Sequence, residues 1–283
     1  MVYDPFGPGP HAVGTRTLRF PDGPAACELW SPDGGELLPL VVFSHLSGGN
    51  RLSSSFLCRH LAGHGYAVAA LDHTDVVARR VPEVRLVLTE LPAVAGELRL
   101  DAMRVGVVGH SFGGWTALAT PDQEPSVGSV VALAPGGASR PRPGILPVGL
   151  DFAWGRDVPT LYLAGDEDVM TPPDGIAELY ERTPATARMF VLRGVDHLHF
   201  VDDVETAHES LRRDTLPGDA AWIPGAMRPL AELCPPARAH EAIRGLTLAH
   251  LDASLRDDGQ AEAFLRRTAA AGLPALGVAA LAG

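Results

Sequence analysis

Cysteine is scarce: three in 283 residues, with Cys27, Cys58 and Cys234 forming no Cys-x-x-Cys pair. That spacing argues against a disulfide framework or a zinc site. Positive charge is also short, 23 Lys and Arg against 34 Asp and Glu, a formal net charge of −11. A chain this acidic has no broad basic face to offer phosphates, so neither nucleic acid nor an anionic membrane is expected as a partner. No apolar run approaches the ~18 residues that a membrane-spanning helix needs. The opening MVYDPFGPGPHAVG lacks both a basic stretch and an apolar core, so no secretory signal is read there. These absences read as a soluble protein of a reducing compartment, the cytoplasm. Secretion is the alternative if a signal peptide has been trimmed away.

What the chain does have is 46% hydrophobic residues, enough for one large core. A single domain over 1–283 is expected. The first 35 residues read as a hairpin, with strands at Val13 to Phe20 and Ala26 to Trp30 around the turn residues Pro21-Asp22-Gly23-Pro24. Leu40 to Phe43 is a continuous apolar run, the mark of a strand buried on both faces. Helices over about Ser53 to Gly63, Val81 to Leu91 and Ser111 to Ala119 then alternate with strands. These are Ala67 to Leu71, Arg104 to Val108, Ser129 to Leu133, Thr160 to Ala164 and Arg188 to Leu192. Such alternation means βαβ units: an α/β fold, a mostly parallel central sheet of about eight strands with helices on both faces. Residues 202–236 are Pro-rich and read equally as a partial cap or as packing. Residues 239–256 have the spacing of a C-terminal amphipathic helix. The last dozen residues read as disordered.

The chemistry centres on Gly109-His110-Ser111-Phe112-Gly113-Gly114, which follows one strand directly and opens a helix. A serine on so tight a strand-to-helix turn projects its Oγ clear of the sheet, and the N–H of Phe112 is aimed where an oxyanion would form. A serine hydroxyl needs a base, and the base an orienting carboxylate; in this context the chain order is Ser, then acid, then His. Gly165-Asp166-Glu167-Asp168 follows one later strand, and Asp196-His197-Leu198-His199 follows the next. Asp168 is chosen as the acid, with Asp166 the runner-up, and His197 is chosen over His199. The loop Phe43-Ser44-His45-Leu46-Ser47-Gly48-Gly49 supplies the second oxyanion donor, the N–H of Ser47 or alternatively Leu46. Phe56, Trp115, Trp154, Met170 and Phe200 are apolar candidates for a substrate pocket, each competing with a place in the core. No cofactor and no metal is expected. The lesser reading is a metal-dependent hydrolase using His197 and His199 with Asp202 and Asp203.

Phe43-Ser44-His45 with Gly48 and Arg51, Leu71-Asp72-His73-Thr74-Asp75 and the Ser111 elbow together resemble the bacterial platelet-activating-factor acetylhydrolase and dienelactone-hydrolase-like branch of the α/β-hydrolases. The resemblance extends to Val13 to Thr17, Glu28 to Trp30 and Gly245 to Leu255. It implies the α/β-hydrolase fold and esterase chemistry: a small-molecule carboxylic ester with an apolar acyl or alcohol part, cleaved through an acyl-enzyme on Ser111. An acyltransferase or a biosynthetic cyclase with the same triad is the alternative. Two positions depart from the family. Leu46 stands where a glycine usually follows the histidine. The strand after the nucleophile helix ends Ala132-Leu133-Ala134-Pro135-Gly136, with no acid, which moves the carboxylate to the next strand, as in cutinases.

Overall fold

Apolar residues on adjacent positions of each central strand divide between two cores, one on each face of a single sheet. The computed structural model of the chain describes residues 3–280, apart from 21, 22, 25, 35, 36, 75 and 97. Its strands are β1 (Val13–Leu18), β2 (Cys27–Pro32), β3 (Leu37–Ser44), β4 (Ala67–Leu71), β5 (Arg99–His110), β6 (Val127–Leu133), β7 (Thr160–Gly165), β8 (Ala187–Leu192) and β9 (Val278–Ala280). They lie in the order β1-β2-β4-β3-β5-β6-β7-β8-β9. Strands β3 to β8 run parallel, while β1, β2 and β9 are antiparallel to their neighbours. The chain thus has the α/β-hydrolase fold.

Strand pleating explains the apolar runs. Val41 and Phe43 enter the core covered by α1 (Ser55–Gly63), α7 (Pro236–Leu255) and α8 (Gly259–Ala271). Leu40 and Val42 enter the opposite core, under α2 (Arg80–Val94), α3 (Phe112–Ala119) and α4 (Pro173–Arg182). A strand with both faces buried has no polar alternation to show. β1 and β2 pair as a hairpin, from Val13 against Pro32 to Leu18 against Cys27, the first strand ending before Phe20 and the second running on past Trp30. Part of its turn, Pro21 and Asp22, lies outside the described residues. Its second strand is welded to the main sheet through β4.

The expected sheet of about eight strands has nine among the described residues. One expectation needs correction: the tail is ordered at least to Ala280. Leu273 bridges Val278, and Val278, Ala279 and Ala280 pair with Leu192, Val191 and Phe190 of β8. A three-residue strand has no signature of its own; pairing with an existing sheet edge creates it. Residues 281–283 lie outside the described residues. Between β8 and α7, residues 202–236 form α5 (Val204–Arg213), a one-turn α6 (Ile223–Ala226) and two short 3-10 turns. Leu198, Ile223 and Met227 make a third apolar cluster with Leu46, Met170 and Leu211, set above the carboxyl ends of the parallel strands. In open α/β sheets that is the end where ligands sit.

Candidate active site

Ser111 joins β5 to α3 with φ 58° and ψ −116°, a conformation that L-residues avoid. The turn closes only because its neighbours carry no side chain. A Cβ on Gly109 would lie 2.0 Å from the Gly113 carbonyl oxygen, and one on Gly113 would lie 2.0 Å from that of Ser44. The Ser111 N–H donates to the Leu133 carbonyl at 2.9 Å, and its own carbonyl accepts from Trp115 and Gly136. These bonds hold a backbone whose strain is of order 1–3 kcal/mol.

The Ser111 Oγ lies 2.8 Å from His197 Nε2, and His197 Nδ1 lies 2.6 Å from Asp168 Oδ2. The three side chains come from the ends of β5, β7 and β8. Asp168 is held from the far side: its Oδ1 accepts the N–H groups of Met170 and Thr171 at 2.8 and 2.9 Å, and its Oδ2 accepts the Thr171 hydroxyl at 2.8 Å. Burial alone would raise the pKa of Asp168. The charge and hydrogen bond of His197, with the Thr171 bonds, outweigh it and hold the carboxyl below its ordinary value. Burial likewise opposes protonation of His197, yet the Asp168 charge and hydrogen bond, with a smaller part from Asp196, raise the imidazole above its ordinary value. Beneath the pair lies His110, fully buried, its ring 4.9 Å from that of His197.

The residues not chosen have other partners. Asp166 accepts the Gly194 N–H at 2.6 Å, tying the β7 and β8 loops together, and Glu167 pairs with Arg228 at 2.6 Å. His199 is sealed in the protein, its Nδ1 against Asp196 at 2.7 Å and its Nε2 on the Cys234 carbonyl at 2.9 Å. Asp202 accepts from Ser55 and from the Phe56 N–H, and Asp203 caps α5 through the Thr206 N–H. His197, His199, Asp202 and Asp203 therefore each serve a different contact.

A cavity of about 580 Å³ opens over Ser111 and His197. Leu46, Ser47 and Phe112 line it, so all three proposed oxyanion residues border the nucleophile. Phe112 is the first residue of α3, where N–H groups have no partner within the helix. Of the five expected pocket residues, Met170 alone lines this cavity. Phe200 and Trp154 are buried in the two cores. Phe56 stacks on His240 at 3.8 Å, and Trp115 packs on Phe112 while donating to the Gly149 carbonyl at 2.7 Å. Aromatic bulk gave no clue to which face each would take. The wall is aliphatic instead, with Ile145, Leu146, Leu211, Leu216 and Ile223. Thr171 also went unread, although a hydroxyl three residues after an aspartate is a usual partner in an Asx-type turn.

Comparison with known proteins gives a family match for part of the chain and several relatives. Residues 25–85 match the family described as platelet-activating factor acetylhydrolase, isoform II. That stretch runs from β2 into α2 and stops short of the nucleophile; Asp75 within it lies outside the described residues. Cutinase est1 of Thermobifida alba is 27% identical over 208 residues, 69% of this chain and 66% of the cutinase. A bis(hydroxyethyl) terephthalate hydrolase of Streptomyces coelicolor is 27% identical over 154 residues, covering 52% of this chain and 46% of the relative. The platelet-activating factor acetylhydrolase of Gallus gallus is 37% identical over 67 residues, 23% of this chain and 16% of that protein. The chain spans about half to two-thirds of the length of the cutinases it matches. The chain has the α/β-hydrolase fold and resembles the platelet-activating-factor acetylhydrolases and the cutinases.

Proposed function

We propose that this chain is a serine carboxylic ester hydrolase working through an acyl-enzyme on Ser111. The observation that carries the reading is the unbroken line from Ser111 Oγ through His197 to a buried Asp168, at 2.8 and 2.6 Å, on the floor of an apolar cavity. His197 takes the hydroxyl proton as Ser111 attacks the ester carbonyl. Asp168 holds the Nδ1–H tautomer and stabilises the imidazolium. The N–H groups of Phe112 and of Ser47, or Leu46, bind the oxyanion. His197 returns the proton to the leaving alcohol, then activates the water that frees the acyl group. The names of the relatives, cutinases and a terephthalate-ester hydrolase among them, support ester cleavage.

In this reading residues 202–236 are a partial cap, with α5 and α6 forming one wall of the acyl site. About 580 Å³ of mainly aliphatic wall suits an apolar acyl or alcohol part. No helix among the described residues is long and apolar enough to cross a membrane. The three cysteines are free and buried, which supports the cytoplasm over secretion; fractionation of the native host tests that choice.

The central test is Ser111→Ala. Hydrolysis of p-nitrophenyl butanoate is expected to fall by about 10⁴ to 10⁶, and labelling by a fluorophosphonate to disappear. Near wild-type turnover by the variant would overturn the reading.

A further inference from the structure

Below the oxyanion loop lies a second buried chain of hydrogen bonds that the proposed chemistry does not use. Ser44 Oγ is 2.8 Å from His73 Nε2, and His73 Nδ1 is 2.7 Å from Glu83 Oε2. The spacing is that of a Ser-His-acid relay, yet all three residues are buried, so no substrate reaches it. It is fastened instead to the loop above. The His73 N–H donates to His45 Nε2 at 3.1 Å, which leaves the His45 proton on Nδ1. That Nδ1 lies 2.6 Å from the Leu46 carbonyl oxygen. At the first residue of α2, Arg80 Nη1 donates to the His45 carbonyl at 2.6 Å, and its guanidinium sits 4.5 Å from the centre of the Phe112 ring. Arg80 is among the largest fully buried side chains of the molecule.

We propose, on the basis of the esterase reading above, that Arg80 and His45 are positioning residues that aim the oxyanion donors. His73, Glu83 and Ser44 are the frame that fixes them. The argument is one of peptide geometry. In a trans peptide the carbonyl and the following N–H point in opposite directions, and there is no cis peptide among the described residues. The Leu46 carbonyl is held on the His45 ring and also accepts the Gly49 N–H at 3.2 Å. The Ser47 N–H, in the same peptide, therefore points away from the buried frame, and Ser47 borders the cavity that holds Ser111. The His45 carbonyl is held by Arg80, so the Leu46 N–H is set in the same way. Each candidate donor on this loop has its own side-chain clamp, and Arg80 also touches Phe112, whose N–H is the donor on the other side. One buried cation thus ties the two halves of the oxyanion site together.

The tautomer argument holds because His45 is neutral: burial pushes its pKa down to about 4, with Arg80 and His73 acting in the same direction. Glu83 is the groups' counter-charge. Hydrogen bonds from His73 and Thr74 outweigh its burial and keep it ionised, its pKa below the ordinary value. Asp72, the other charged neighbour of the loop, pairs with Arg51 at 2.7 Å. Donors held before the reaction need no reorganisation when charge develops, which is where an oxyanion site gains its effect.

The test pairs an oxo ester with its thiono analogue, whose sulfur uses an oxyanion site poorly. Arg80→Met and His45→Gln are expected to lower kcat on the oxo ester by about 10²-fold, with KM nearly unchanged. Their oxo-to-thiono rate ratio should shrink by a similar factor. In His45→Asn the amide nitrogen takes roughly the place of Nδ1, so this variant should recover most of the ratio lost in His45→Gln. A folded Arg80→Met or His45→Gln protein with a wild-type ratio overturns the proposal, whatever its kcat. If Arg80→Met does not fold, the two neutral His45 variants still decide. Should Ser111→Ala abolish turnover while all these ratios stay at the wild-type value, the esterase reading stands and this inference falls.

Discussion

At the scale of single residues, the proposed mechanism makes the pair Asp168–His197 set the working pH. Burial by itself would make both groups neutral; their interaction reverses this, depressing the acid and raising the imidazole. His197 must be neutral to accept the serine proton, so kcat/KM should climb with pH through a value above that of an ordinary histidine. Asp168→Asn removes the main support and leaves burial opposed only by the smaller effect of Asp196. The acid limb of the pH–rate profile is expected to move to lower pH while turnover falls about 10⁴-fold. A profile that keeps its wild-type limb would show that another group supports His197. The same shifts act on stability with opposite signs. The raised pKa of His197 contributes fully below the ordinary histidine pKa and is lost as pH rises through the folded value. The depressed pKa of Asp168 contributes above the ordinary aspartate pKa and is lost as pH falls through the folded one.

At the scale of elements, α5 and α6 reach over the cavity through Leu211 and Ile223, and the length of chain accepted should follow from them. Leu211→Trp is expected to lower the kcat/KM ratio of p-nitrophenyl decanoate to butanoate by about 10-fold, an effect of the size one hydrophobic pocket contact supplies. An unchanged ratio would place the acyl chain on another wall. These helices illustrate what the sequence could not tell. The strand read at Ala67 to Leu71 is β4 to the residue, because a buried parallel strand is an uninterrupted apolar run. That Ser111, Asp168 and His197 would meet was legible because fold and chain order restrict which strand ends converge. The wall was not, since Leu211 and Ile223 lie in a Pro-rich stretch with no long period. Nor was the Arg80–His45 clamp legible: it joins residues 35 apart through a carbonyl, which leaves no side-chain pattern. The missed α8 is a different case. Its buried Ala261, Phe264, Leu265 and Thr268 have helical spacing, and Asp258 caps it. Those signals were present but lay beside an Ala-rich tail that reads as disordered.

At the scale of the whole molecule, the N-terminal segment is anchored to the last helices through Asp252. Its carboxylate accepts the hydroxyls of Tyr3 and Tyr66, each at 2.8 Å, and pairs with Arg256 at 2.9 Å. Asp252→Ala leaves these donors without their acceptor and should destabilise the fold by about 2–3 kcal/mol. Because the anchor lies near the end of α7 and beside Tyr66, just ahead of β4, while the proposed chemistry sits past the carboxyl ends of the strands, kcat at 25 °C should hold while the unfolding midpoint falls; loss of kcat in folded protein would contradict that separation. The far edge of the sheet has another kind of closure. β8, which leads directly into His197, would otherwise present a free row of backbone donors and acceptors, and such a row is a template for a strand from another chain. β9 occupies it with three residues running the opposite way. The tail should therefore guard against self-association, and a chain nicked ahead of Val278 would be exposed to aggregation at the strand that precedes the proposed base.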